Sequence, residues 1–346
     1  MISTLQVCCS TRSSPNWLSA SLVCVLLITA CADARRDQQL EFYALGTEVS
    51  VSLYDVSDAQ ADTASNLLQA HFARIGHDWY PWRPGELQTI NTAIANGQPI
   101  QVRPRLATVI RRAAEIEALS NERFNAGLGR LTELWGLHNV SSTPQAVPAA
   151  ATIAELLAGA PGLTNVRWKG DQLTGATTTL MIDLGGIAKG AILEDSVQIL
   201  RELEINNAIV NIGGDLTVIG EVHGRPAHIG IRSPVSNTPV ASIEITSGET
   251  IVSSGNYERF VEIGGQRYNH ILDPRSGYPI EHTAAVTVVH RDPILADAAA
   301  TALMVGGMQE FDALTRSLGL KYALLIDASG DVRLTSAMSD RLSWID

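Results

Sequence analysis

Apolar residues follow two different periods along this chain, and that mixture constrains the fold more than any other feature. Alternating or short apolar stretches predict strands, and apolar residues three and four apart predict helices. Strands are predicted over 42–54, in a hairpin over 166–184 that turns near 169–171, and over 208–212, 228–232, 242–245, 259–263, 284–290, 322–326 and 332–334. Helices are predicted over 59–79, 106–120, 187–203, 293–305 and 309–318. Because strands come in runs and helices in blocks, the pattern predicts an α+β fold rather than a doubly wound sheet.

The N-terminal segment is set apart from this pattern. Residues 1–30 carry one charged side chain, Arg12, and an apolar run over 18–30 that is too short to span a bilayer as a relaxed helix. The run ends in Leu27-Ile28-Thr29-Ala30-Cys31, which resembles a bacterial lipobox, whose cysteine becomes the lipidated first residue after cleavage. We therefore expect a lipoprotein signal peptide over 1–30, a tether over 31–40, and lipid anchoring through Cys31 on the extracytoplasmic (periplasmic) face of a bacterial membrane. A plain signal peptide, or a buried helix that ends in cysteine by chance, is the alternative.

Charge and cysteine usage exclude several kinds of site. The chain has 25 basic and 36 acidic side chains and a net charge of -11 at pH 7, so it has no sequence-wide electrostatic footprint for nucleic acid. An anionic ligand would have to be bound locally, by a metal, a few arginines or backbone amides. The four cysteines are Cys8, Cys9, Cys24 and Cys31. The chain beyond them has no thiol for a disulfide, a metal site or a nucleophile.

Two glycine pairs follow predicted strands. The stretch from Ile182 to Gly190 stops a strand at Gly185-Gly186 and opens a helix, which directs backbone N–H groups and the positive helix end at a ligand and suits phosphate. Its spacing, G-G-x-x-x-G, matches neither the dinucleotide-binding motif nor a P-loop. Tight packing of a strand–helix turn is the alternative. The stretch 211–215 repeats the theme, with a turn stabilised by the asparagine side chain as its alternative.

Polar side chains gather in two further places. After the stretch 253–259, residues 269–277 contain an Asp-Pro and a Ser-Gly turn that brings carboxylate, imidazole and guanidinium groups close together, although His270 can equally be structural. In the predicted helix over 293–305, Asp297 and Thr301 are four residues apart and share a face among alanines. That pair offers two hard oxygens to a cation, unless it is only a hydrogen-bonded helix face.

The order of these stretches resembles the ApbE family of bacterial FAD:protein FMN transferases, often lipoproteins, from about residue 42 to about residue 318. The stretches that carry the resemblance are 45–47, 86–91, 124–137, 183–190, 211–215, 253–259, 270–277 and 296–301. The resemblance implies a single α+β, two-lobed unit of mixed sheets with flanking helices over 41–346, with FAD in a cleft between the lobes. It also implies Mg²⁺-dependent transfer of the FMN part of FAD onto a Thr or Ser hydroxyl of an acceptor protein, with release of AMP.

The resemblance further implies roles for single residues. Asp297, Thr301 and a backbone carbonyl of Ala188 would bind Mg²⁺, and His270 would assist the attacking hydroxyl. The residues that would contact FAD are Leu45, Asn125, Ala126, Gly127, Asp183, Gly185, Ala191 and Ile271. Three positions depart from the common family pattern and put the detailed FAD contacts in doubt: Gly85, Asn125 and Gly127 stand where many members have Ser, Asp and Thr.

Two features near these stretches have more than one interpretation. The aromatic loop with Trp79, Tyr80 and Trp82 either stacks on a flavin or adenine ring or packs within the protein. The stretch 171–177 resembles the acceptor motif, Asp-x-x-Ser/Thr-Gly-Ala-Ser/Thr, that these enzymes modify in partner proteins. Self-flavinylation at Thr177 is therefore a hypothesis, although an ordinary strand of the predicted hairpin explains the same residues.

Two other functions are alternatives for the same sequence features. An FAD pyrophosphatase would let water replace the acceptor hydroxyl and would release FMN and AMP. A non-catalytic flavin-binding lipoprotein would bind the ligand without reaction, which does not require Asp297, Thr301 and His270 together. The expected partners are FAD and an acceptor protein with the motif above, such as a membrane redox-pump subunit or an FMN-binding domain. No nucleic acid is expected, and membrane contact is expected only through the lipid anchor.

Overall fold

A long antiparallel sheet organises the chain from Arg35 onwards. The computed structural model describes residues 35–138, 146–159, 162–175, 177–236 and 238–345, so the predicted signal peptide and Cys31 lie outside the described residues. The strands are β1 Arg36–Ala44, β2 Thr47–Val56, β3 Ile100–Gln101, β4 Arg167–Lys169, β5 Gln172–Thr174, β6 Ala208–Ile212, β7 Asp215–Ile219, β8 Ala227–Arg232, β9 Pro239–Ile245, β10 Thr250–Gly255, β11 Phe260–Ile263, β12 Gln266–Asn269, β13 Thr283–His290, β14 Tyr322–Asp327, β15 Val332–Leu334 and β16 Leu342–Trp344. The helices are α1 Asp58–Asp78, α2 Glu86–Ala95, α3 Pro104–Leu119, α4 Gly129–Leu134, α5 Ala150–Gly159, α6 Ala188–Glu202, α7 Pro293–Ser317 and α8 Ser336–Ser339.

Eight strands form the main sheet, in the order β1-β2-β6-β7-β10-β13-β14-β15, and each neighbouring pair is antiparallel. Smaller sheets contain β16-β9-β8, β11-β12 and β3-β5-β4. Antiparallel strands with helices in separate blocks confirm the α+β prediction. Within the described residues, no helix combines the length and the apolarity needed to cross a bilayer.

The two faces of the main sheet pack against different parts of the protein. Val252, Val286 and Val288 belong to the large apolar core that also contains the alanines of α7, whereas Ile251 and Val289 belong to a second core under β8 and β9. Alternation along β10 and β13 places these two sets on opposite faces. The main sheet therefore lies between a helical layer and the three-stranded sheet β16-β9-β8.

Small residues let α7 approach its neighbours closely. Its alanines at 296, 298–300 and 302 are completely buried, and the helix packs on β13, β10 and α6. At the contact with α6, a Cβ atom on Gly190 would clash with the backbone carbonyl of Pro293. This close approach brings the first turn of α6 next to the polar face of α7.

Several predicted elements are corrected in detail. The strand predicted over 42–54 is a hairpin of β1 and β2 that turns at Leu45-Gly46, where φ is 58° and 76°. β1 begins at Arg36, so residues 36–40 lie in the sheet rather than in the predicted tether. Helices predicted over 293–305 and 309–318 are one element, α7, interrupted at Gly307, where φ is 59° and ψ is -163°.

Candidate functional site

The turn between 182 and 190 is held in place from both sides. Asn91 on α2 makes two hydrogen bonds with the backbone of Ile182, donating to its carbonyl at 2.9 Å and accepting from its N–H at 2.8 Å. The carboxylate of Asp183 then accepts from the N–H of Gly185 at 3.0 Å and from the hydroxyl of Thr132 at 3.2 Å. Burial raises the pKa of Asp183, although the bond from Gly185 opposes this. Gly185 itself is exposed, so the turn presents backbone to a ligand while its start stays anchored.

A buried ionic cluster lies where this turn enters α6. Asp297 is 3% exposed, and its Oδ2 accepts a hydrogen bond of 2.9 Å from the N–H of Gly190. Next to it, the Lys189 ammonium is paired with the completely buried Asp215, whose other oxygen accepts from the N–H of Ser253 at 3.0 Å. The cluster therefore joins α6, β7, β10 and α7.

The pKa shifts in the cluster follow from burial and from an excess of negative charge. Desolvation raises the pKa of Asp297, the Lys189 charge opposes this, and the charges of Asp215 and Glu258 add to it. Burial alone would lower the pKa of Lys189, but Asp215 and Asp297 outweigh that effect and raise it. Lys189 pairs directly with Asp215, and Arg259 and Arg232 act on Glu258, so Asp297 is the carboxylate of this group beside which a further cation would be electrostatically favoured.

The donor set near Asp297 fits a small hard cation. Thr301 is one turn further along α7, and a Cβ atom on Gly186 would lie 3.1 Å from its Oγ1. Within the described residues, no three His, Cys, Asp or Glu side chains are arranged to hold a metal ion. A cation here would have Asp297, Thr301 and the backbone of the 185–188 turn as protein ligands, with ligand phosphates and water completing the set, as Mg²⁺ prefers.

His270 follows the β11–β12 hairpin and is oriented by its neighbour across it. Its backbone N–H donates to the carbonyl of Arg259 at 3.1 Å, and its ring Nδ1 lies 3.2 Å from the same oxygen. Because a carbonyl only accepts, Nδ1 carries the proton and Nε2 has the free lone pair. Burial and then the Arg259 charge lower the pKa of His270 to about 3, so the ring is neutral at physiological pH.

The residues expected to contact FAD differ in their surroundings. Asn125 caps its own turn by accepting from the N–H of Gly127 at 2.7 Å, and the carbonyl of Ala126 accepts from the N–H of Asp183 at 2.8 Å. These contacts bring the 125–127 segment beside the turn that contains Gly185.

Three other residues in this set make contacts with the rest of the protein. Leu45 occupies the β1–β2 turn, and its side chain contacts α1 at Gly76. Ile271 is 6% exposed, and its backbone pairs with Ile280. Ala191 is completely buried, with its carbonyl accepting from Arg105 at 2.9 Å, so its side chain faces the protein interior.

The two ambiguous stretches lie at identifiable places in the fold. Tyr80 and Trp82 pack edge to face with ring centroids 5.4 Å apart, and the Tyr80 hydroxyl donates to the carbonyl of His138 at 2.7 Å. These contacts agree with packing inside the protein. Thr177 lies beyond β5 rather than in a hairpin strand, and its hydroxyl donates to the carbonyl of Gly159 at 2.9 Å. Self-flavinylation at Thr177 stays a hypothesis.

Sequence reasoning did not assign roles to several residues of this site. Lys189 and Asp215 lie within the glycine-containing stretches, and Asn91 within a stretch that carries the resemblance, yet nothing in their spacing indicates that they meet. Thr132 shows no pattern at all. A charged residue inside an otherwise apolar or glycine-rich turn is the one signal that could have pointed to Lys189 and Asp215.

This chain is similar in sequence to the proteins of one known family. The model of the ApbE family matches residues 45–340. An FAD:protein FMN transferase of Rhodobacter capsulatus is 34% identical over 329 residues, which cover 95% of this chain and 63% of the relative. One of Klebsiella pneumoniae is 29% identical over 315 residues, which cover 87% of this chain and 93% of the relative. This chain therefore spans less than two thirds of the length of the first relative but nearly all of the second.

Solved structures show the same fold. The ApbE protein from Thermotoga maritima superposes with a TM-score of 0.81 at 28% identity, covering 88% of this chain and 99% of that structure. The flavinyl transferase ApbE of Pseudomonas stutzeri superposes with a TM-score of 0.78 at 26% identity, covering 89% and 97%.

Proposed function

Because this chain belongs to the ApbE family, we propose that it transfers the FMN moiety of FAD onto a Thr or Ser hydroxyl of an acceptor protein and releases AMP. One observation carries the proposal most directly. The buried carboxylate of Asp297 lies at the N-terminus of α6, beside a glycine turn with exposed backbone and one helical turn from the Thr301 hydroxyl. This combination suits a pyrophosphate held together with a divalent cation.

His270 is the residue that would accept the proton of the attacking hydroxyl. Nε2 has the lone pair because Nδ1 donates to Arg259. In the proposed step, the acceptor oxygen forms a bond to the phosphorus of the FMN half, and its proton passes to Nε2. The P–O bond of the anhydride breaks, and its electron pair leaves with AMP. A positioned base contributes about 10²- to 10⁴-fold to the rate when its pKa lies near the operating pH, so the low pKa of His270 in the free protein makes the lower end of this range the expectation.

Other residues would bind and orient the pyrophosphate. Asp297, Thr301 and the backbone at Ala188 are the proposed Mg²⁺ ligands, and Gly185 and the 125–127 segment would contact FAD. Mg²⁺ bound there would neutralise negative charge on the pyrophosphate of FAD and so favour departure of AMP. Lys189 neutralises Asp215 and limits the negative charge that faces the dinucleotide.

Release of AMP with and without an acceptor tests this proposal against its hydrolytic rival. The protein, FAD and Mg²⁺ are incubated with and without an acceptor domain that contains the Asp-x-x-Ser/Thr-Gly-Ala-Ser/Thr motif, and AMP and free FMN are quantified. The proposal predicts AMP release that depends on the acceptor and is not accompanied by free FMN. Equal amounts of AMP and free FMN, with or without acceptor, would instead identify an FAD pyrophosphatase.

The location of the protein is a separate proposal that rests on the sequence. We propose lipid anchoring through Cys31 on the extracytoplasmic face of a bacterial membrane, where acceptors such as redox-pump subunits or FMN-binding domains would be reached. A Cys31→Ser variant should appear in the soluble extracytoplasmic fraction while the wild-type protein stays with membranes. Equal partitioning of both forms would remove the proposal.

A further inference from the structure

A single carboxylate on α7 links two loops that lie beside the candidate site. Glu310 follows the break at Gly307, and each of its carboxylate oxygens accepts a hydrogen bond from a different arginine. Oε1 accepts from Arg275 Nη1 at 2.8 Å, and Oε2 accepts from Arg123 Nε at 2.7 Å. Because both oxygens are used, loss of this carboxylate would leave two guanidinium groups without their shared partner.

The Arg275 side of this network is built into the loop that follows His270. Arg275 makes a two-point contact with Asp273, with Nε to Oδ1 at 2.8 Å and Nη2 to Oδ2 at 2.6 Å. Its Nη2 also lies 3.4 Å from the carbonyl of Val305, next to the break in α7. His282 Nε2 lies 3.1 Å from the same carbonyl. The loop with His270 and the bend of α7 are thus fixed to each other.

The Arg123 side reaches the segment that precedes Asn125. Arg123 is largely buried, with 14% of its side chain exposed, and its Nη1 donates to the carbonyl of Asn121 at 2.7 Å. The next residue, Phe124, has its ring against the Gly186 turn, since a Cβ atom on Gly186 would lie 3.4 Å from its Cε2. A shift of Arg123 would therefore move both the 125–127 segment and one wall of the turn.

We propose that Glu310 is a positioning residue, which fixes the loop of His270 and the segment of Asn125 relative to the part of α7 that contains Asp297. This inference rests on the proposed function, because it assumes that these three segments bind FAD. The Arg275 contact is half-exposed and contributes little to folding stability, so its main effect is on geometry, whereas the largely buried Arg123 contact also contributes to stability. A misplacement of about 1 Å in a binding constellation can cost up to about 100-fold.

The test compares FAD binding in two variants of the same helix. Glu310→Gln keeps the size of the side chain and removes the charge shared by the two arginines. Asp312→Asn is the matched control, since Asp312 pairs with Arg333 at 2.5 Å, outside the three segments. FAD affinity is measured by flavin fluorescence with Mg²⁺ and without acceptor, and the melting temperature of each protein is recorded.

We expect Glu310→Gln to weaken FAD binding by about 10- to 100-fold while the protein stays folded at the assay temperature, with a lower melting temperature than Asp312→Asn because the Arg123 contact is largely buried. Asp312→Asn should bind FAD as the wild type does. Equal affinity of Glu310→Gln and wild type overturns the positioning role, whereas a wild-type protein that binds no FAD overturns the proposed function instead. If Glu310→Gln does not fold, Arg123→Gln, which removes one of the two arginines bound by Glu310 together with the bond to the Asn121 carbonyl, should still show weaker binding, and unchanged affinity there overturns the inference.

Discussion

The carboxylate of Asp297 accepts a 2.9 Å hydrogen bond from the backbone N–H of Gly190, and so joins α7 to the first turn of α6. One carboxylate oxygen is thereby occupied and the other is available to a cation. In Asp297→Asn, the side-chain carbonyl can still accept from Gly190, but the charge is lost. We expect Mg²⁺-dependent FAD binding and turnover to fall together, with the fold retained. FAD titrations with Mg²⁺ and with EDTA measure this, and Mg²⁺ dependence equal to that of the wild type contradicts the assignment.

The close contact between α6 and α7 predicts that a larger residue at Gly190 destabilises the protein. Gly190 has no room for a Cβ atom next to the carbonyl of Pro293, so Gly190→Ala should destabilise the protein by about 1–3 kcal/mol through overpacking. The control is Gly76→Ala in α1, where a Cβ atom would meet only Leu45 at 3.5 Å. That change should stabilise the helix by up to about 1 kcal/mol. Chemical denaturation gives both values, and equal stabilities for the two variants would argue against the close helix contact.

Loss of the proposed base should separate catalysis from binding. In His270→Ala, we expect FMN transfer to slow by about 10²-fold, because the acceptor hydroxyl loses its proton acceptor. FAD affinity should change little, since the ring is held by the backbone of Arg259 rather than by the groups around Asp297. Single-turnover transfer rates and FAD titrations are the two measurements. A variant that transfers FMN at the wild-type rate would show that His270 is not the base.

A buried carboxylate away from the site predicts a pH effect on stability. Glu117 is completely buried and accepts from the N–H of Leu163 at 2.9 Å; desolvation raises its pKa from 4.5 to about 7. Between these two values the unfolded chain is ionised while the folded chain holds the proton, so stability falls as pH rises through this window. Above pH 7, ionised Glu117 costs at most about 3 kcal/mol relative to acidic pH.

The variant Glu117→Gln isolates this effect. It cannot ionise, so its stability relative to the wild type should increase between pH 4.5 and pH 7 and then level off. Urea denaturation of both proteins across this range measures the difference. A constant difference at all pH values would mean that the pKa of Glu117 is the same in the folded and the unfolded protein.

The local pattern of apolar residues and glycines predicted the helices and strands of the site. It predicted the contacts between side chains of the site less well. α6 was predicted closely because a glycine pair marks its start, whereas the break of α7 at Gly307 was predicted as a gap between two separate helices. The turn at Leu45-Gly46 was missed since apolar alternation continues through both arms of the hairpin. α2 was also missed, although its Asn91 anchors the turn at Ile182.

Contacts between residues that are far apart in the sequence could not be predicted from local pattern. The pairing of Lys189 with Asp215 and the bridge from Arg123 to Glu310, across 187 residues, depend on how the sheet and helices pack. Charged residues of these types occur all along the surface, and their spacing in the sequence shows no period. The pair Asp297 and Thr301 was recognisable because one helical turn brings both to one face.

Mass measurement of an acceptor domain after incubation with this protein, FAD and Mg²⁺ tests the central claim most directly. The account predicts that the acceptor gains the mass of one FMN less one water, as a phosphoester on its Thr or Ser, with one AMP released per modification. An acceptor with this residue changed to Ala should gain nothing. The mass of the enzyme itself, recorded in the same experiment, also reports on Thr177. An acceptor of unchanged mass, in the presence of bound FAD and Mg²⁺, would contradict the account.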